Sequence, residues 1–270
     1  MRHENVLRLY GGFYEPSSGT ICLLMDLCPL GSLNDVMTSG YNRINNDQED
    51  SDEGDGQKNK PAEDPNTAKK LYHLPEPIIC RIFVGLVHAL EYIHMKHSVV
   101  HRDVKPANVM LKQDYTAQLS DFGLSCTLAE CNNNKETICG TPNYLAPEVF
   151  LKQGHSFESD YWSLGCTLYY ALCGQSPFNI SETTTVDLNE DEKLLGTEHV
   201  HVKNKTSTNP NTRALILRRI YRQVITGKYR FPSDLSQASR RVIRSLLQRD
   251  PSERLKSKEI LQSTFCRNFK

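Results

Sequence analysis

The sequence predicts an α+β fold, mainly helical, with a small β element confined to its first residues. Three observations carry this. The apolar run Ile21-Cys22-Leu23-Leu24-Met25 follows the turn-forming Pro16-Ser17-Ser18-Gly19 and reads as a strand. Ile79, Ile82, Phe83, Leu86, Leu90 and Ile93 recur at three- and four-residue spacing, which makes one apolar stripe along a helix. Asp160 to Cys173 reads as a second helix, apolar enough to be buried.

In chain order, Gly11-Gly12 reads as part of a hairpin that Pro16 to Gly19 help to close. Residues 38–73 crowd Asp47, Glu49, Asp50, Asp52, Glu53 and Asp55 among few apolar side chains, too few to order them, and read as a disordered acidic insertion. Ser51, before Asp52 and Glu53, resembles an acidophilic phosphorylation site. The helix from Pro77 anchors the loop after it. Each fully buried side chain on its stripe contributes about 1.5 to 3 kcal/mol, and misplacing reacting groups by about 1 Å costs on the order of a hundredfold in rate. Val109-Met110-Leu111 is a short strand. A second polar insertion spans 179–212, after which a helix restarts near Leu215; two more follow near 236–248 and 256–263. There is no internal repeat.

The 270 residues, 38% hydrophobic and of zero formal net charge, suffice for one large domain or two small ones. Balanced charge gives no reason to expect nucleic acid as a partner. No apolar run approaches the roughly 20 residues that span a bilayer, and the N-terminus leads into no signal-peptide core. A membrane is not expected either. Nine cysteines without a Cys-x-x-Cys pair suit reduced thiols in the cytoplasm or nucleus better than a disulfide frame or a zinc site.

His101-Arg102-Asp103-Val104-Lys105-Pro106-Ala107-Asn108, followed thirteen residues after Asn108 by Asp121-Phe122-Gly123, carries the chemistry. A hydroxyl attacking the γ-phosphate of ATP needs a fixed carboxylate to orient it and accept its proton, which Asp103 offers. Lys105 can neutralise charge on the transferred group. Mg2+ needs hard oxygen ligands, which the Asn108 amide and the Asp121 carboxylate supply if their segments converge. Downstream stand Gly140-Thr141-Pro142-Asn143-Tyr144-Leu145-Ala146-Pro147-Glu148 and Asp160-Tyr161-Trp162-Ser163-Leu164-Gly165.

On these motifs the chain resembles the eukaryotic serine/threonine protein kinases. Thr137-Ile138-Cys139-Gly140-Thr141-Pro142-Asn143-Tyr144, Leu27-Cys28 and His155 to Asp160 resemble the polo-like kinases most, with Aurora and calcium/calmodulin-type kinases as neighbours. The resemblance implies a kinase-like fold in which 1–28 are a remnant of the small lobe, its fourth and fifth strands, plus the hinge; 29–270 are the large helical lobe with its two insertions. It implies ATP and Mg2+ as cofactors, protein Ser/Thr hydroxyls as acceptors, and an upstream activating kinase as a partner. Met25 would stand beside adenine as gatekeeper, Asp26 and Cys28 would form the hinge that hydrogen-bonds it, and Met110 would lie under its ring. Ser32 would sit near the ribose, where many kinases carry an acid. Thr141 would contact Asp103 and Lys105; Tyr144 and Leu145 would shape the acceptor pocket. Phosphorylated Thr137 would pair with Arg102, Asp160 would hold the backbone of the 101–103 loop, and Glu148 would pair with Arg254.

The pattern begins inside the kinase domain. The Gly-rich loop, the lysine of the third strand and the glutamate of the following helix have no counterpart in these residues, and Gly11, Gly12 and Gly19 do not replace the loop. A fragment of a longer active enzyme is the expectation, since the two strands would otherwise expose an unpaired edge and an apolar face. The alternative is a non-catalytic pseudokinase or scaffold.

Overall fold

The structure, a computed structural model, describes residues 1–39, 74–178 and 210–268. Strands β1 (Leu9–Glu15) and β2 (Thr20–Met25) form an antiparallel hairpin, Glu15 opposite Thr20 and Leu9 opposite Met25. The turn is made by residues 16–19, with Gly19 at φ +66°. Gly11 and Gly12 lie within β1 rather than in the turn, where the ladder shifts register between Leu9 and Gly11. A Cβ on Gly12 would come within 2.9 Å of Leu23 Cδ2 and 3.0 Å of the Cys22 carbonyl, so only glycine lets the strands approach there. The hairpin pairs with no third strand among the described residues, and its large apolar side chains stand in solvent: Phe13 is 65% exposed, Ile21 71% and Leu24 65%. Met25 is 46% exposed.

Helix α1 (Leu33–Ser39) follows and includes the first two residues of the expected insertion. Residues 40–73 and 179–209, the bulk of both expected insertions, lie outside the described residues. Helix α2 (Glu76–His97) opens with Pro77 in its first turn, where a missing N–H costs nothing, and ends at Ser98 in the left-handed region. Its stripe is buried as expected, with Ile79, Phe83, Leu86, Leu90 and Ile93 each at most 3% exposed. By length and composition α2 could cross a membrane, against the expectation of no such run. Its apolar side chains are instead spent on the core.

Two-residue strand β3 (Val99–Val100) pairs with β6 (Cys126–Thr127), while β4 (Val109–Leu111) pairs with β5 (Ala117–Leu119). These short ladders bracket the 101–108 loop. Helix α3 (Leu128–Asn133) is started by a reciprocal Thr127–Glu130 capping box, and α4 (Pro147–Phe150) closes the segment that begins at Asp121. Cys126 and Cys131 are joined in a disulfide, which corrects the expectation of reduced thiols throughout. The strand turns directly into a helix there, bringing Cα atoms five residues apart to 6.5 Å. The other seven cysteines are not in disulfides.

Helix α5 (Phe157–Cys173) starts three residues before Asp160 and is the buried axis of the body. Its Gly165 faces Leu246 of α7 (Gln237–Leu246) so closely that a Cβ would sit 2.8 Å from that residue's own Cβ. Trp162 stacks on Phe178 at 5.4 Å. Helix α6 (Pro210–Thr226) begins five residues before the expected Leu215 because Pro210 suits a first helical position. Helices α8 (Ser257–Leu261) and α9 (Thr264–Arg267) end the chain.

Arg254 locks α4 to this body. Its Nη1 and Nη2 donate to Glu148 Oε1 and Oε2 at 2.6 and 2.7 Å, and Nη1 also donates to the Glu158 carbonyl. Both partners are buried, as the expected pairing requires. Arg254→Met should lower unfolding free energy by about 3 to 5 kcal/mol, because it strands a buried carboxylate. In urea denaturation, Glu148→Leu combined with Arg254→Met should recover most of that loss.

Candidate active site

The site is built on a buried carboxylate. Asp160, in the first turn of α5, accepts the backbone N–H groups of His101 at 2.8 Å and Arg102 at 2.9 Å. Its Oδ2 also meets His94 Nε2 of α2 at 2.8 Å. Burial alone would raise its pKa, but the hydrogen bond and charge interaction with His94 and the His101 amide hold it below the ordinary value. Asp160 thereby ties down the backbone of the 101–103 loop. Arg102 takes φ +69° between β3 and the site, a conformation rare outside glycine that the two amide bonds hold in place. His101 Nε2 lies 2.9 Å from the Ser120 carbonyl, and its ring meets Phe122 edge-on at 4.9 Å. The residues before and after Asp121 are thereby tied to the loop.

Four groups converge on Asp103, which is only 6% exposed. Lys105 Nζ donates to its Oδ2 at 2.6 Å and to Thr141 Oγ1 at 2.9 Å. Thr141 donates from N at 3.1 Å and from Oγ1 at 2.8 Å to Asp103 Oδ1. Asn108 Nδ2 donates to the Asp103 carbonyl at 2.8 Å and to Oδ2 at 3.2 Å. Thr141 reaches the carboxylate because Gly140, at φ +110°, lets the chain pass the loop; a Cβ there would lie 2.6 Å from the Arg102 carbonyl.

The expected metal pair is drawn together through Ser120. The Asn108 carbonyl accepts from Ser120 N and Oγ, each at 2.9 Å, which places Asp121 beside Asn108 in the fold. Asn108 spends its Nδ2 on Asp103, leaving Oδ1 for another donor or a cation. Asp121, at φ +59°, is exposed, and among the described residues its carboxylate accepts a hydrogen bond from Gly123 N alone, at 3.3 Å. An amide oxygen and a carboxylate with open lone pairs are hard ligands that fit Mg2+.

Cys28 is buried, its Sγ 3.2 Å from Gln118 Oε1 of β5. The Asp26 N–H is taken by the Arg8 carbonyl at 3.1 Å and its carboxylate by Tyr10 Oη at 2.6 Å. No backbone hydrogen bond among the described residues engages the Asp26 C=O or the Cys28 N–H. Both groups are thus open, as the expected adenine contact requires. Met110 is half-buried in β4 opposite Gln118, bridging to Ser32. Ser32 is committed to starting α1: its N and Oγ both donate to Asp35 Oδ2, at 2.9 and 2.7 Å. Asp35, three residues on, thus sets a carboxylate beside Ser32, which the Ser-x-x-Asp spacing of a capping exchange could have indicated.

Thr137 is exposed, and no hydrogen bond or ion pair among the described residues joins it to Arg102. Arg102 instead donates through Nε to the Leu124 carbonyl. His94, whose partner lies 66 residues away, escaped the sequence reading, and His155, noted there only as part of a motif, has its Nε2 3.6 Å from Cys139 Sγ.

Burial pushes the His155 imidazole down to about 4, opposed by the nearby Asp160 carboxylate and helped to a smaller extent by Arg102. A histidine held neutral on folding contributes stability above its unfolded pKa of about 6.5 and loses it as pH falls towards the folded value. Between pH 7 and 4 the wild-type protein should therefore lose about 3 kcal/mol more than His155→Gln in urea denaturation. Equal losses would show that His155 is not buried as a neutral base.

A sequence model described as the protein kinase domain matches residues 1–266. The cell cycle serine/threonine-protein kinase CDC5/MSD2 of Saccharomyces cerevisiae is 28% identical over 271 residues, covering 99% of this chain and 29% of the relative. The serine/threonine-protein kinase PLK4 of Xenopus tropicalis is 26% identical over 269 residues, covering 100% of this chain and 21% of the relative. The serine/threonine-protein kinase PLK2 of Mus musculus is 32% identical over 192 residues, covering 71% and 23%. The chain spans less than a third of the length of these relatives.

Proposed function

As the chain belongs to the protein kinase family, we propose that it transfers the γ-phosphate of ATP to serine or threonine hydroxyls of proteins, as part of a longer polo-like enzyme. The observation that carries this is the convergence of Lys105, Thr141 and Asn108 on the carboxylate of Asp103. The acceptor hydroxyl replaces the Thr141 hydroxyl on Asp103 Oδ1, which aims its oxygen and takes its proton as the new O–P bond forms and the bond to ADP breaks. Lys105, 2.6 Å from the same carboxylate, sets its cation beside the transferred group. Adenine meets the Asp26 carbonyl and the Cys28 amide, with Met25 and Met110 flanking it. Asn108 and Asp121 would hold Mg2+, which when bound neutralises phosphate charge. Lys105 and Thr141 together favour Ser/Thr over tyrosine acceptors.

Phosphorylation of Thr137 by an upstream kinase would add about −1.5 to −2 charges to an exposed segment, and Arg102 is the cation that the resemblance pairs with it. Arg102 is at present bonded to the backbone at Leu124, a contact it would have to exchange. Thr137→Ala should lower turnover of phosphorylated enzyme while leaving thermal unfolding unchanged. Unchanged turnover would reject the switch.

The direct test is phosphate transfer from labelled ATP to dephosphorylated casein in Mg2+, with protein that carries any native upstream sequence. Asp103→Ala should reduce transfer by about 10²- to 10⁴-fold, and Asp121→Asn should weaken Mg-ATP binding as well. Transfer that survives Asp103→Ala would remove that carboxylate from the chemistry. No transfer by the wild-type protein, with ATP still bound, would leave the scaffold reading in its place.

A further inference from the structure

Charge in this chain is balanced overall but not locally. From Arg213 to Arg249 there are ten Lys or Arg residues and one acidic residue, Asp234. The fold gathers several of these cations on one face. Lys228 and Arg230 are exposed on either side of half-buried Tyr229. The guanidinium carbons of Arg240 and Arg244 lie 5.9 and 5.0 Å from the Phe231 ring centre, and Phe231 meets Tyr229 edge-on at 5.3 Å. Arg249 packs its side chain against Gly227, where a Cβ would meet its Cγ and Cδ at 3.4 Å. Lys228, Arg230, Arg244 and Arg249 are all exposed, and none is in an ion pair with a described residue.

This surface runs into a cleft of about 520 Å3 between α4 and α6, and Arg249 lines both. Pro147, Leu151, Ile225 and Pro251 give the cleft an apolar lining. Its two carboxylates are already engaged, Glu148 with Arg254 and Asp250 with the N–H and Oγ of Ser252. The open charge at its mouth is Arg249.

We propose that this face docks a protein segment in which an apolar side chain is flanked by acidic residues. The apolar side chain enters the cleft against Leu151 and Ile225, and the carboxylates pair with Arg249, Lys228, Arg230 and Arg244. Exposed like charges repel one another and are worth assembling only against an anion. Two features favour a peptide over a nucleic acid. A phosphate chain entering the cleft would meet Glu148 and Asp250, and base stacking needs free aromatic faces, whereas Phe231 is covered by Arg240 and Arg244 and Tyr229 is packed on Tyr169.

Binding is measured without ATP, so the outcome does not depend on catalysis. By fluorescence anisotropy at low salt, the full chain should bind a labelled peptide carrying one Leu and a run of Glu. The same peptide with Gln for Glu should bind at least about tenfold more weakly, and the preference should fade as salt is raised. Combined Lys228→Glu, Arg230→Glu and Arg249→Glu should cost about tenfold or more, with unchanged circular dichroism because all three side chains are exposed. Leu151→Glu, at a site 47% exposed, should also weaken binding, since it fills and charges the cleft. Equal binding of the Glu and Gln peptides, or wild-type affinity in the triple variant, would overturn the proposal. Tighter binding of single-stranded RNA than of the Glu peptide, lost in the triple variant, would make this a nucleic-acid surface instead.

Discussion

One buried carboxylate sets the geometry on which everything else at the site depends. Asp160 sits inside the helical body with almost no access to water, a position that costs several kcal/mol unless its lone pairs are met. Two backbone amides and an imidazole meet them. The amides belong to the two residues before Asp103. A helix at the centre of the core thus dictates where the Asp103 carboxylate stands, and the same bonds hold Arg102 in its left-handed backbone conformation.

From that anchor the site assembles by contacts between segments far apart in sequence. Ser120 ties Asn108 to the start of the 121–148 segment, and Gly140 lets the same segment return against the loop to deliver Thr141. The end of the segment is held by the buried Glu148–Arg254 pair, whose guanidinium also lies 5.1 Å from the Trp162 ring centre on the helix that carries Asp160. The middle is different. Around Thr137 the chain is exposed, so a change of charge there can act on the segment without dismantling its ends.

Much of the site was legible in the sequence because its chemistry lies in short, local patterns. Asp103, Lys105 and Asn108 are within one loop, and their residue types state what each can donate or accept. The stripe of α2 was legible for a similar reason, since burial follows the helical period. What escaped reading depends on the path of the chain. His94 is an ordinary helical histidine until α5 passes beside it, and Cys126 and Cys131 pair because a strand happens to turn into a helix between them. Helix ends were misplaced where polar composition hid them: α6 begins at Pro210, inside a stretch rich in Asn and Thr. The exposed apolar hairpin follows from the expectation that two strands alone leave both edges open.

The most direct measurement is hydrogen exchange at the backbone amides of His101 and Arg102, compared between the wild-type protein and Asp160→Asn. If Asp160 positions the site, those two amides are among the slowest to exchange, and the substitution accelerates both well beyond the change in global stability. Fast exchange in the wild-type protein, or rates that shift only with global stability, would contradict the claim that this carboxylate builds the site.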